Sequence, residues 1–113
     1  MHIIRTTLSL NELEKMAADT FGDIVKAVVD IDTELMAVDA ELHADLESLL
    51  LEDGSQQKHL WGINLYPEAR GDEFIEFDSM INVRPSQGNR SRGVGDKAIR
   101  NKIIQIVGKR IAR

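Results

Sequence analysis

The chain has 113 residues, a formal net charge of −5 and 42% hydrophobic residues; that is enough for one core, too apolar for a disordered chain, and too short to wall a large substrate cavity on every side. It contains no cysteine, which excludes disulfides, thiolate zinc sites and cysteine nucleophiles. No apolar run of signal-peptide length follows Arg5 and no stretch approaches bilayer length, so the expectation is a cytoplasmic protein with no membrane association.

The net charge hides an asymmetry. Residues 1–80 hold 5 Lys/Arg and 18 Asp/Glu, a balance of −13, whereas residues 81–113 hold 9 Lys/Arg and a single acid, Asp96, a balance of +8. Two readings follow. Either the basic tail folds onto the acidic body, of its own chain or of a second subunit, or the basic segment meets an outside anion such as a phosphate.

In chain order, His2 to Arg5 is a candidate short strand. Ser9 then opens a helix with Glu12 at capping-box spacing, and Leu10, Leu13, Met16, Ala17 and Phe21 form its apolar face up to Gly22. Ile24 to Ile31 and Leu35 to Val38 read as strands joined at Asp32-Thr33. A second helix follows, capped by Asp39 or by Asp45, with Leu42, Leu46, Leu49 and Leu50 inward and Gly54 as its stop. Lys58 to Tyr66 reads as a strand with Trp61, Ile63 and Leu65 on one face. After a turn at Arg70-Gly71-Asp72, Glu73 to Arg84 reads as a longer strand with Glu76, Asp78, Asn82 and Arg84 on its wet face, ended by Pro85. A loop leads to Asp96, which caps a last helix carrying Ile99, Ile103, Ile106, Val107 and Ile111 inward. The expected fold is a single α+β domain over residues 1–113. Two hairpins, four to five strands in all, form an antiparallel sheet with three helices on one face, in the order (β)-α-ββ-α-ββ-α.

Three groups of residues carry the chemistry. Arg84 to Gly93 holds three arginines and two glycines ahead of a helix N-terminus. Guanidinium forks, close backbone approach and free helical N–H groups all favour an anion, so Arg84, Arg90, Arg92 and Arg100 are the candidate anion-binding residues. The loop lacks the GxxxxGK[ST] spacing, and Asp96 stands where an anion would meet the helix, so the plain alternative is arginines paired with the body's own acids. Second, Glu76 and Asp78 project from one face of a strand, as acid–base or metal-binding pairs do, and as ordinary wet faces also do. Third, His43 and Asp45, with His59 elsewhere, suit a base oriented by a carboxylate or a hard metal site, although no recognised ligand spacing is present. No cofactor or metal is expected. Nucleic acid is the poorer partner, because aromatics make up only 4% of the chain and the body is acidic.

The segments LHADLESLLLEDGSQQKHLWGINLYPE and DEFIEFDSMINVRPSQGNRSRGVGDKAIRNKIIQIVGKRI resemble a family of short prokaryotic proteins of unknown function. The likeness runs from Val25 to Ile111. It implies a self-contained domain and supplies no activity. The residues themselves favour a small binding or interaction protein with an anion-facing arginine loop, a phosphate-bearing small molecule being the ligand class that loop suits. The alternatives are a hydrolase of a phosphate-bearing substrate, using His43 with Asp45 or Glu76 with Asp78, and a homodimer with the basic last helix docked on an acidic face.

Overall fold

A computed structural model describes residues 1–113. The elements are β1 (His2–Ile4), β2 (Leu8–Ser9), α1 (Leu10–Asp19), β3 (Val25–Asp30), β4 (Leu35–Val38), α2 (His43–Glu52), β5 (Leu60–Leu65), β6 (Ile75–Glu76), α3 (Lys97–Arg110) and β7 (Ile111–Ala112). Short 3-10 turns lie at Gln57–His59, Gly71–Glu73, Met80–Asn82 and Pro85–Gln87. Five strands form one antiparallel sheet in the order β1-β4-β3-β5-β6, and β2 pairs in parallel with β7. The fold is therefore α+β, with three helices.

Strand alternation divides the sheet's side chains between two layers. Val25, Ala27, Val29, Trp61, Ile63 and Leu65 face α1 and α3, meeting Leu13, Ile103, Ile106 and Val107 in the larger core. Val28, Ala37 and Leu60 face the other way and are covered by Leu46 and Leu50 of α2. Helices thus cover both faces of the sheet, not one. The reason is visible in β3, where Ala27, Val28 and Val29 are all fully buried: such a strand needs apolar cover on both sides.

The ends of the helices follow local chemistry. Ser9 Oγ accepts from Glu12 N at 3.1 Å and donates to Glu12 Oε1 at 3.1 Å, and Asp96 Oδ1 accepts from Ala98 N at 2.8 Å. Neither Asp39 nor Asp45 caps α2; its N-cap is Leu42, whose side chain accepts nothing. Asp39 instead occupies the left-handed region, at φ 74°, and Asp45 lies in the first turn. Phe21 and Leu42, expected inward, are exposed, with Lys26 Nζ 5.5 Å from the Phe21 ring centroid.

The basic C-terminal segment is tied to its own chain. Lys102 and Lys109 both donate to the Glu34 carboxylate, at 2.6 and 2.9 Å, and the Arg110 guanidinium donates to the carbonyls of Glu34, Arg5 and Thr6. Glu34 presents its carboxylate from the β3–β4 turn with φ 62°. Asp30 shapes that turn by accepting from Asp32 N at 2.9 Å and Thr33 N at 3.1 Å, and its other oxygen accepts from Ser55 Oγ at 2.6 Å. Lys102, then Lys109, hold the Glu34 carboxyl down to about 2. A carboxylate depressed in the folded state adds stability above its unfolded value, and that contribution is lost as pH falls through the folded one. Glu34→Gln is accordingly expected to lower the urea midpoint at pH 7 and to flatten its decline between about pH 4.5 and pH 2. An unchanged acid limb would show that the two lysines do not act through Glu34.

Candidate functional site

The expected strand from Glu73 to Arg84 stops after Glu76. The register explains what replaces it. Glu76 pairs with Asn64, and Tyr66 N donates to Phe74 O at 2.9 Å, so even-numbered residues of β5 turn their N–H and C=O groups toward β6. Beyond Glu76 side chains satisfy that edge. The buried Asn82 accepts from Gly62 N at 2.8 Å through Oδ1 and donates through Nδ2 to Gly62 O and Arg92 O, each at 2.9 Å. Arg84 donates to Gln57 O at 2.5 Å and to Leu60 O, and its guanidinium lies 4.2 Å from the Trp61 ring centroid. Burial pushes the Arg84 guanidinium down, with Glu47 opposing the shift.

The arginine-rich segment is a folded loop built around a second buried asparagine. Asn89 Nδ2 donates to Asn82 O, Ser91 O and Gly93 O at 2.7, 3.1 and 2.8 Å, while Oδ1 accepts from Gly95 N at 2.9 Å. The four candidate guanidiniums have different surroundings. Arg84 caps the β5 edge. Arg100 donates to Val94 O at 2.6 Å. Arg92 pairs with Asp78 at 2.7 Å, with both side chains partly exposed, and Arg90 is exposed. Arg90 thus faces solvent unpaired, and Arg92 is engaged only in a part-exposed ion pair, which holds its partners weakly.

Arg92 and Asp78 adjoin a polar row on the α2 side of the sheet. Lys26, Asn64 and Glu76 are register partners across β3, β5 and β6 and share that face. Asn64, 5% exposed, donates through Nδ2 to Glu76 Oε1 at 2.8 Å and to Asp78 O at 3.4 Å. Tyr66 OH donates to the same Glu76 oxygen at 3.1 Å, and burial, then Glu76, raise the Tyr66 phenol. His43, at the start of α2, points its Nε2 at Ile63 O, 2.8 Å away. A carbonyl only accepts, so Nε2 carries the proton and a neutral ring leaves its lone pair on Nδ1. Burial pulls the imidazole below the ordinary histidine value, and the Ile63 carbonyl opposes the shift. Asn64 Oδ1, also buried, has no hydrogen-bond partner within 3.5 Å, and the Asn64 side chain lies beside the His43 ring, where it too opposes the shift.

The structure therefore brings His43, Glu76, Asp78 and Arg92 to one region and leaves the others out. Asp45 is exposed on α2 and no hydrogen bond joins it to His43; His59 sits in the turn before β5. No group of three or more His, Asp or Glu side chains is placed to hold a metal ion. Asn64 and Tyr66 escaped sequence reading because an asparagine in a strand signals nothing until its neighbours are known. The alternation of LWGINLY with its large apolar residues at odd positions was the available clue, since it places Asn64 and Tyr66 on the opposite face.

A second feature was also missed. An open apolar groove of about 550 Å³ lies between α3 and the segment leading into β6, lined chiefly by Phe74, Ile75, Ile104, Val107 and Ile111, with Arg113 at one end. A smaller recess of about 180 Å³ continues it past Ile104 to Phe77 and Asp72. Ile104 is 48% exposed, and the Arg113 guanidinium lies 4.3 Å from the Phe74 ring centroid.

The fold and these surfaces define a small α+β domain with a polar patch on one sheet face and an apolar groove beside the other. A family model described as "Protein of unknown function (DUF5674)" matches residues 2–110, and the chain belongs to that family. No curated protein and no solved structure matches it. No helix is long and apolar enough to cross a membrane.

Proposed function

We propose that this is a binding domain for a small phosphate-bearing ligand with hydroxyl groups, seated on the polar row beside α2. The observation that carries the reading is the pair of loop arginines on the surface, Arg90 exposed and Arg92 held only by a part-exposed ion pair with Asp78; the buried Asn64 Oδ1 would meet a ligand hydroxyl only if the surrounding side chains opened. Arg92, exchanging its exposed pairing with Asp78, and Arg90 from the same loop would take the phosphate. The loop thus keeps a role in anion binding through two of its arginines, while Arg84 and Arg100 support the backbone that presents them.

The test is a thermal-shift titration with inorganic phosphate, ribose 5-phosphate and AMP. A bound ligand at about 100 times its Kd adds roughly 2.7 kcal/mol of stability. Arg92→Ala should weaken binding about tenfold or more, as expected for loss of one charge-assisted hydrogen bond worth about 1.5–3 kcal/mol. No shift with any of the three compounds at millimolar concentration would remove the proposal.

A hydrolase reading rests on one specific observation, the tautomer of His43 set by Ile63 O, which puts the lone pair of the neutral ring on Nδ1; in a ring whose charged form burial disfavours, that nitrogen would act as a general base once its buried surroundings opened. Turnover of p-nitrophenyl phosphate that disappears in His43→Gln separates this reading from binding alone.

A further inference from the structure

We propose that the apolar groove between α3 and β6 is a docking site for an extended peptide segment that adds a strand to the β6 edge. Strand β6 ends the sheet order and has no strand neighbour on its outer side. The register that turns Phe74 and Glu76 toward β5 turns the N–H and C=O of Ile75 outward, to that open edge. Ile75 also lines both the groove and the recess that continues it. A main-chain donor and acceptor thus stand directly beside an apolar trough.

Backbone hydrogen bonds at a sheet edge combined with pockets for alternate side chains are how strand addition recognises peptides. An acyl chain fills the apolar trough equally well but leaves the Ile75 N–H and C=O unused. A concave trough likewise fits a projecting chain better than a second concave copy of itself. Charge complementarity specifies the occupant further. Arg113 at the groove end makes no ion pair and no hydrogen bond, and its guanidinium lies against Phe74. The segment that fits has apolar residues at alternate positions, which enter beside Ile104 and Val107. It carries a carboxylate, from an acidic residue or its own C-terminus, at the Arg113 end.

The experiment pans the full chain with phage-displayed random decapeptides, counter-selects on Ile104→Glu, and measures synthetic versions of the enriched peptides by fluorescence polarisation. Ile104 is 48% exposed, so its substitution leaves the core intact. Gly108→Leu is the second variant: a Cβ at Gly108 meets nothing within 4 Å, so a larger side chain there occupies the groove without disturbing the fold. Peptides of the alternating pattern should emerge, and Ile104→Glu and Gly108→Leu should each weaken them tenfold or more while the thermal midpoint is retained. Arg113→Glu should do the same and be compensated by lysine in place of the peptide's acid. N-methylation of the peptide amide facing Ile75 should also cost tenfold or more. The proposal is overturned by a library that yields no enrichment, by enriched peptides indifferent to both groove variants, or by tolerance of N-methylation together with displacement by decanoate, which would mark an acyl site. A wild-type dimer that Ile104→Glu converts to monomer would overturn it in favour of a second copy.

Discussion

Asn82→Leu is expected to lower the stability of the fold by about 4 kcal/mol, the largest loss from any single substitution considered. Asn82 is fully buried, and its amide satisfies Gly62 N, Gly62 O and Arg92 O. Leucine has similar bulk and no polar atom, so three backbone groups lose their partner inside the protein, at about 1–3 kcal/mol each when buried. Partial access of water as the loop loosens brings the sum down to the stated figure. Chemical denaturation in urea should show it, with a fall of roughly 15 °C in Tm. Asn82→Asp is the discriminating companion. It keeps the acceptor for Gly62 N but sets a carboxylate against two carbonyls, so it should be less destabilised at pH 4, where a protonated acid can donate, than at pH 7. A cost below about 1 kcal/mol for Asn82→Leu would mean that the loop does not depend on this amide.

Gly62→Ala should cost about 2–3 kcal/mol, the range expected for overpacking a core. The site lies on the other side of the same junction. A Cβ at Gly62 would sit 2.5 Å from Ser79 Cβ, 2.6 Å from Ser79 Oγ and 3.1 Å from Ile81 Cγ1. Truncating Ser79 to alanine cannot relieve the first of these contacts, but Ser79→Gly removes both the Cβ and the hydroxyl. A double-mutant cycle of Gly62→Ala with Ser79→Gly should therefore show a favourable coupling of about 1 kcal/mol or more. Independent, additive losses would show that the segment from Ser79 to Asn82 rests on β5 less closely than the contact distances require.

Both predictions concern the place where the sequence was misread, and the cause is physical. Ile75, Phe77, Ile81 and Val83 alternate with polar residues as a strand does, and Asn82 and Arg84 occur where residues of a wet face belong. The alternation does reflect the edge of β5, but only Ile75 and Glu76 satisfy it through their own backbone. Asn82 and Arg84 do so through side chains that reach in from a folded loop. Periodicity reports which residues want contact with a sheet; it does not report whether main chain or side chain makes the bond. The same limit applies to the arginines. Composition showed three guanidiniums in ten residues, yet an arginine that caps carbonyls over a tryptophan and one that faces water have the same letter in the sequence.

What the sequence determined by itself was local. The capping serine of α1 and Asp96 of α3, the left-handed glycines after α1 and α2, the strand core Trp61-Ile63-Leu65, and the inward face of α3 all depend on neighbours within a few residues. The two-sided covering of the sheet, the attachment of the basic tail at Glu34, the meeting of His43 with Ile63 and of Asn64 with Glu76, and the groove beside β6 were decided only by tertiary structure. Each of these brings together groups far apart in the chain, and Lys109 with Glu34 spans 75 positions. Such contacts are selected by the packing of whole elements, which leaves no signature in the spacing of the residues that eventually touch.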